Sequence, residues 1–113
     1  MTVNEIIMNA IKNVGYTAYA DTYIGNDHAY ITFNFADERG IKFEDDEEIL
    51  TRYSMQIHLF CPKDYDYTQL KKDIKKELKK SRFSGISIQN LYESETKKRH
   101  IIFECDIDLE TEE

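Results

Sequence analysis

The sequence predicts an α+β domain: a mainly antiparallel sheet of four to five strands packed with two α-helices, in the order α-β-β-β-α-β-β. Two segments, Val3–Val14 and Tyr67–Leu78, place apolar residues at helical spacing. Three others, within residues 28–36, 49–60 and 99–110, alternate apolar and polar residues with the period of a strand.

The first helix opens on a capping box, Thr2 and Glu5, ahead of Val3, Ile6, Ile7, Ala10, Ile11 and Val14. At about 100° per residue these positions share an arc of roughly 140°, the width of a face docked on a core. Gly15 supplies the stop, and a short strand is expected near Thr17 to Thr22.

In "HAYITFNFA", Ala29, Ile31, Phe33 and Phe35 point one way, and Tyr30, Thr32 and Asn34 the other. In "ILTRYSMQIHLF", Tyr53, Met55, Ile57 and Leu59 oppose Arg52, Ser54, Gln56 and His58. These two strands are expected to form a hairpin joined by an extended acidic loop, residues 37–48. Pro62 removes a ladder donor and ends the second strand.

Asp66 is expected to cap the second helix, with Gln69 completing the box. Tyr67, Leu70, Ile74 and Leu78 fall within an arc of about 80°, with Lys72, Lys76, Lys79 and Lys80 on the far side. Phe83 would oppose that stripe if the helix continued, so the helix should end near Ser81 or Arg82. Gly85 is expected to begin the turn into "ISIQNLY". In the final "RHIIFECDIDLE", Ile101, Phe103, Cys105, Ile107 and Leu109 share one face, and His100, Glu104, Asp106 and Asp108 the other.

A chain of 113 residues fits one domain, 1–113, with an acidic C-terminal tail at 110–113. Its 41% hydrophobic and 12% aromatic content excludes a disordered class. "MTVNEIIMNAIKNVG" has no basic segment followed by a continuous apolar core, so no signal peptide is expected, and no apolar run approaches the ~20 residues that cross a bilayer. Two cysteines make no disulfide framework, and a reducing cytoplasm is the expected site of synthesis.

The net charge of −7 conceals a segregation. From Lys71 to Arg82, seven basic residues stand against Asp73 and Glu77, a balance of +5, so the rest of the chain carries −12. The acidic excess gathers in "DERGIKFEDDEE" and in the tail from Glu104.

Two His/Cys pairs invite a reading as metal or nucleophile sites. His58 and Cys61 are three apart and His100 and Cys105 five apart, odd spacings that send each pair to opposite faces of a strand. No C-x₂-C knuckle occurs, which leaves only a site assembled across strands. Cys105 is expected to fill the core, His58 and His100 to sit on the polar face, and His28 to lie in a loop or at a strand start. Cys61 abuts a proline rather than a helix N-terminus that would lower its pKa. No G-x-S-x-G, Gly-rich phosphate loop, H-E-x-x-H or calcium-loop order occurs, so catalysis, metal and cofactor are not expected.

The basic helix, residues 69–82, is the one feature that suits nucleic acid. Lysine predominates there, no aromatic interleaves, and the remaining surface is acidic, so specific nucleic-acid binding is not expected. A solvated face, or a contact with an acidic neighbour such as another copy's acidic loop and tail, accounts for it equally well.

The stretches "ITFNFADERG", "QIHLFCPKDYDY" with the lysine-rich helix after it, and "TKKRHIIFECDID" resemble the tail terminator (tail completion, minor tail protein) family of siphophages and prophages. The likeness runs over nearly the whole chain, in length, element order and local wording, without an active-site signature. It implies a non-enzymatic protein that forms a hexameric ring on the tail tube, stops its polymerisation and prepares head–tail joining. Its partners would be itself, the tail-tube protein and head–tail connector proteins, and its place the head-proximal end of the virion tail after synthesis in the bacterial host cytoplasm. A head–tail joining protein of the phage neck is the nearest alternative. By charge and placement, the expected interface comprises Asp37, Glu38, Arg39, Glu44, Asp45, Asp46 and Glu47, together with Lys72, Lys76 and Lys79.

Overall fold

Thr2 starts helix α1 (Val3–Lys12) as its sequence implies: its hydroxyl accepts from the Glu5 N–H at 3.2 Å, and the Glu5 carboxylate accepts from the Thr2 N–H at 3.0 Å. The helix closes with Tyr16 N–H bonded to Ile11 C=O and Gly15 N–H to Lys12 C=O. Gly15 sits at φ 90°, a conformation for which glycine carries no Cβ penalty. This computed structural model describes residues 1–111; Glu112 and Glu113, the end of the acidic tail, lie outside the described residues.

The remaining elements are β1 (Ala18–Ala20), β2 (Tyr30–Glu44), β3 (Glu47–Pro62), α2 (Thr68–Lys80), β4 (Ser84–Glu93) and β5 (Lys98–Glu110). The five strands form one sheet in the order β1-β2-β3-β5-β4. β1 runs parallel to β2, and every other pairing is antiparallel. The protein is therefore an α+β domain with the expected element order.

Strand alternation decides which side chains meet the helices. Ile31, Phe33, Met55, Ile57, Leu59, Ile101, Phe103, Cys105 and Ile107 share one face and are buried against Val3, Ile7, Ile11, Leu70, Ile74 and Leu78. Each such side chain contributes about 1.5–3 kcal/mol on leaving water. Both helices pack on this face, α1 touching α2, so the opposite face of the sheet carries no helix.

Three local expectations are corrected. Residues 37–48 are not a loop: β2 continues to Glu44 and β3 starts at Glu47, with only Asp45 and Asp46 between them. Both turn residues have positive φ, 50° and 65°, the primed geometry that matches the right-handed twist of a hairpin. Register shifts between Phe35 and Asp37 and between Gly40 and Lys42 break the alternation, which is why this stretch does not read as strand.

Asp66 does not cap α2. The N-cap is Tyr67, with no side-chain hydrogen bond, and Gln69 bonds Asp73 instead. Tertiary contacts fix this end: the Tyr67 ring lies 4.9 Å from the Arg99 guanidinium and 5.4 Å from Lys71 Nζ. Gly85 does not begin the turn after α2 either. Arg82 makes it, at φ 76°, with Phe83 N–H closing on Leu78 C=O and Phe83 turning back into the core. Gly85 lies inside β4 at a register shift.

The molecule measures 54 × 26 × 24 Å. Sixteen residues of β3, at about 3.3 Å each, reach that long dimension, so the β2–β3 hairpin sets the molecule's length.

Candidate functional site

All ten residues expected at an interface are exposed. Asp37, Glu38 and Arg39 lie along the distal half of β2, Glu44 closes it, Asp45 and Asp46 form the tip, and Glu47 opens β3. Among the described residues Asp37 and Arg39 ion-pair only with each other, at 3.7 Å and in solvent, a contact of small net value. Lys72, Lys76 and Lys79 project from the outer face of α2, whereas Lys71 donates to Asn90 of β4 at 3.2 Å. Among the described residues no ion pair joins the Lys72–Lys76–Lys79 row to any carboxylate. The fold thus holds the acidic hairpin and the lysine row apart within one molecule.

The helix-free face of the sheet carries a second arrangement. His58 on β3 and His100 on β5 are diagonal neighbours, because the register sets His58 beside Ile102 and His100 beside Phe60. Their rings meet head-on: His58 Nδ1 and His100 Nε2 are 2.7 Å apart. The chain continues at both ends, from His58 Nε2 to Asn34 Oδ1 at 2.8 Å and from His100 Nδ1 to a Glu93 carboxylate oxygen at 3.4 Å. Asn34 in turn donates to Gln56 at 3.2 Å. Four adjacent strands are linked by one line of polar side chains.

Proton counting gives this line two complete states. As the amides lie, Asn34 Oδ1 accepts, so His58 Nε2 donates and a neutral His58 accepts at Nδ1. His100 must then donate from Nε2 to His58 and from Nδ1 to Glu93, which makes it the imidazolium. With both amides turned over, each imidazole carries its hydrogen on Nδ1 and every bond is made with one proton fewer. Burial lowers the pKa of both histidines; the second ring adds to this for His58, while Glu93 opposes it for His100.

A proton suits the gap better than a metal ion. The ring centroids are 4.9 Å apart, close to the N···N distance plus the two ring radii, which is the most that separation allows, so each ring nitrogen aims at the other. Two ligands of one ion would aim at a point off that line. No group of three or more His, Cys, Asp or Glu side chains converges among the described residues.

Aromatic rings extend the same surface. Tyr23 stacks on Tyr30 at 4.5 Å, Tyr30 on Phe60 at 4.9 Å and Phe60 on His100 at 4.2 Å. Lys98 Nζ lies 4.8 Å from the centre of the Tyr30 ring. His28 is exposed just ahead of β2.

The cysteines stay on the other face. Cys61 and Cys105 are both buried, and burial pushes the Cys105 thiol up to about 12 and raises that of Cys61. Parity places both correctly from sequence. The contact between His58 and His100 was readable only through the β3–β5 register, which the alternation of a single strand does not set.

No helix among the described residues is long and apolar enough to cross a membrane. Set against protein-family models and curated proteins, the chain matches none.

Proposed function

We propose that this protein is a phage tail terminator: a non-enzymatic subunit that assembles into a ring on the end of the tail tube, halts tube growth and presents a surface for head–tail joining. The observation that carries the reading is the separation of opposite charge onto two rigid, exposed elements, the acidic β2–β3 hairpin and the lysine row of α2. Among the described residues no ion pair joins the one to the other. Two complementary patches at different places on one subunit join head to tail, and such contacts close into a ring when the rotation permits. The hexameric count, the tube and connector partners and the head-proximal position come from the family resemblance. The activity is steric and needs no cofactor.

The test is to polymerise the tail-tube protein encoded nearby in the same genome, with and without this protein, and to examine tube ends by negative-stain electron microscopy. Shorter tubes capped by an extra terminal ring are expected, and Lys72→Glu/Lys76→Glu/Lys79→Glu should lose capping while its circular dichroism remains that of a folded monomer. Unchanged, uncapped tubes would overturn the reading and favour a neck joining protein; salt-dependent DNA binding lost in the triple variant would favour a nucleic-acid module.

A further inference from the structure

The sheet extends past the N-terminal turn of α1. Beyond the first turn of the helix, the core-side face of β2, β3 and β5 runs on uncovered toward the hairpin tip, and the step between helix and sheet forms an open cavity of about 680 Å³. Phe35, Tyr53 and Leu109 floor it, and Asn4 and Glu38 stand at its walls. Phe35 is 41% exposed, whereas Phe33 and Met55, on the same face under the helices, are 2% and 1% exposed. An apolar surface continuous with the core is therefore left open at this place.

Its carboxylates, Glu38 and Glu110, outnumber its cationic groups. Asn4 Oδ1 is buried and has no hydrogen-bond partner, a state that costs free energy until a donor arrives. Glu38 forms no ion pair among the described residues. Glu48, beside the cavity, lies over Gly40, where a side chain would collide with its carboxylate. The α-amino group of Met1, at the chain's end, is the sole cationic group among the lining residues. An apolar floor with carboxylates and one unpartnered carbonyl oxygen above it fits a lysine: the stem packs on the rings and the ammonium supplies three donors.

We propose that this shelf seats the lysine row of α2 from a second copy of the chain, with Lys76 at the centre and Lys72 and Lys79 beside it. The row's spacing, i, i+4 and i+7, sets three ammonium groups along one side of a helix. Charge complementarity selects the occupant: the row is exposed and makes no ion pair among the described residues, and the shelf is acidic. This inference rests on the ring-assembly reading and names the surface through which copies meet.

The experiment mixes ordinary and ¹⁵N-labelled full-length protein across a concentration series, treats it with a carbodiimide that couples carboxylates to amines, and identifies mixed-isotope peptides by mass spectrometry. Cross-links from Glu38 or Glu48 to Lys72, Lys76 or Lys79 are expected. Glu38→Lys and Lys76→Glu should each raise the concentration for half-assembly by roughly tenfold, and the two together should restore most of it. Oligomers cross-linked elsewhere, for example from Asp45 or Glu47, would overturn the shelf as the seat while leaving ring assembly in place. Monomers throughout the series, with tubes still capped, would also overturn the shelf contact. Monomers with uncapped tubes would overturn both proposals.

Discussion

His58 Nδ1 and His100 Nε2 face each other at 2.7 Å, each ring aimed at the other across the β3–β5 pairing. The arrangement admits one shared proton and resists a second, because a second would set two imidazolium rings head-on. The other titratable groups bordering this part of the face are Glu93 on β4, Glu104 and Lys98 on β5, Tyr30 on β2, and Asp21 and Tyr23 from the segment after β1. Glu93 is the only one of these that contacts either imidazole by hydrogen bond or ion pair among the described residues.

This pair gives the protein a stability that falls as pH falls. Both histidines have folded-state pKa values below their ordinary 6.5, so the unfolded chain takes up protons first. Native stability is full above pH 6.5 and is lost as pH drops from there to the folded values, below which the loss levels off. Urea midpoints measured from about pH 7.5 to about pH 5 should decline in the wild type and flatten in His58→Gln/His100→Gln. Parallel curves for the two proteins would remove the histidines from the account. Glu5 and Asp108, whose pKa values are lowered by the Thr2 and Arg52 hydrogen bonds, titrate further toward acid in both proteins.

What the sequence makes legible follows from the range of each signal. Capping at Thr2 and Glu5, the α1 stripe and the facing of Cys61 and Cys105 are local, and all three stand in the fold as read. Asp66 and Gln69 match a local pattern too, yet Arg99, from the last strand, stacks on Tyr67 and the helix starts there without the box. Residues 37–48 look like loop because bulges hide their alternation and charge covers both faces. The shelf at Asn4 and the line from Asn34 to Glu93 depend on strand register and on where a helix stops over the sheet, neither of which a single segment encodes.

The buried thiols give a second prediction. Cys105, with its thiol near 12, and Cys61, raised by burial despite the opposing charges of Arg99 and Lys98, carry little thiolate at neutral pH and have no solvent path. Ellman's reagent should modify neither in the native protein at about pH 8 and both in urea. Native labelling should run on the order of a thousandfold slower, at a rate set by opening of the sheet. Prompt reaction of one equivalent would show that a cysteine is accessible and reopen a thiol-based role.

Arg82 supplies a third. It holds φ 76° in the turn that closes α2, a conformation in which a Cβ carries a penalty that glycine avoids. Arg82→Gly should raise stability by about 0.5 kcal/mol, the relief of strain being partly offset by the added freedom of the unfolded chain. A matching substitution at Lys76, exposed inside the helix, should lower stability by about 1 kcal/mol. Thermal melts of the two variants should shift in opposite directions; a loss in both would mean that Arg82 contributes through its side chain.

The hairpin tip provides the last prediction and joins fold to function. Asp45 and Asp46 both occupy the left-handed region, where Asn-Gly is the favoured pair, and two adjacent carboxylates repel each other besides. Replacing them by Asn-Gly should stabilise the hairpin by about 0.5–1 kcal/mol and slow amide exchange in the distal parts of β2 and β3. It also removes two of the acidic charges at the end of the molecule. If the tip only holds the hairpin's shape, the variant should cap tail tubes at least as well as the wild type; if its carboxylates meet a partner, capping should weaken although the fold is firmer. Measuring exchange and capping on the same preparation separates the two roles, because stability and contact then change in opposite directions.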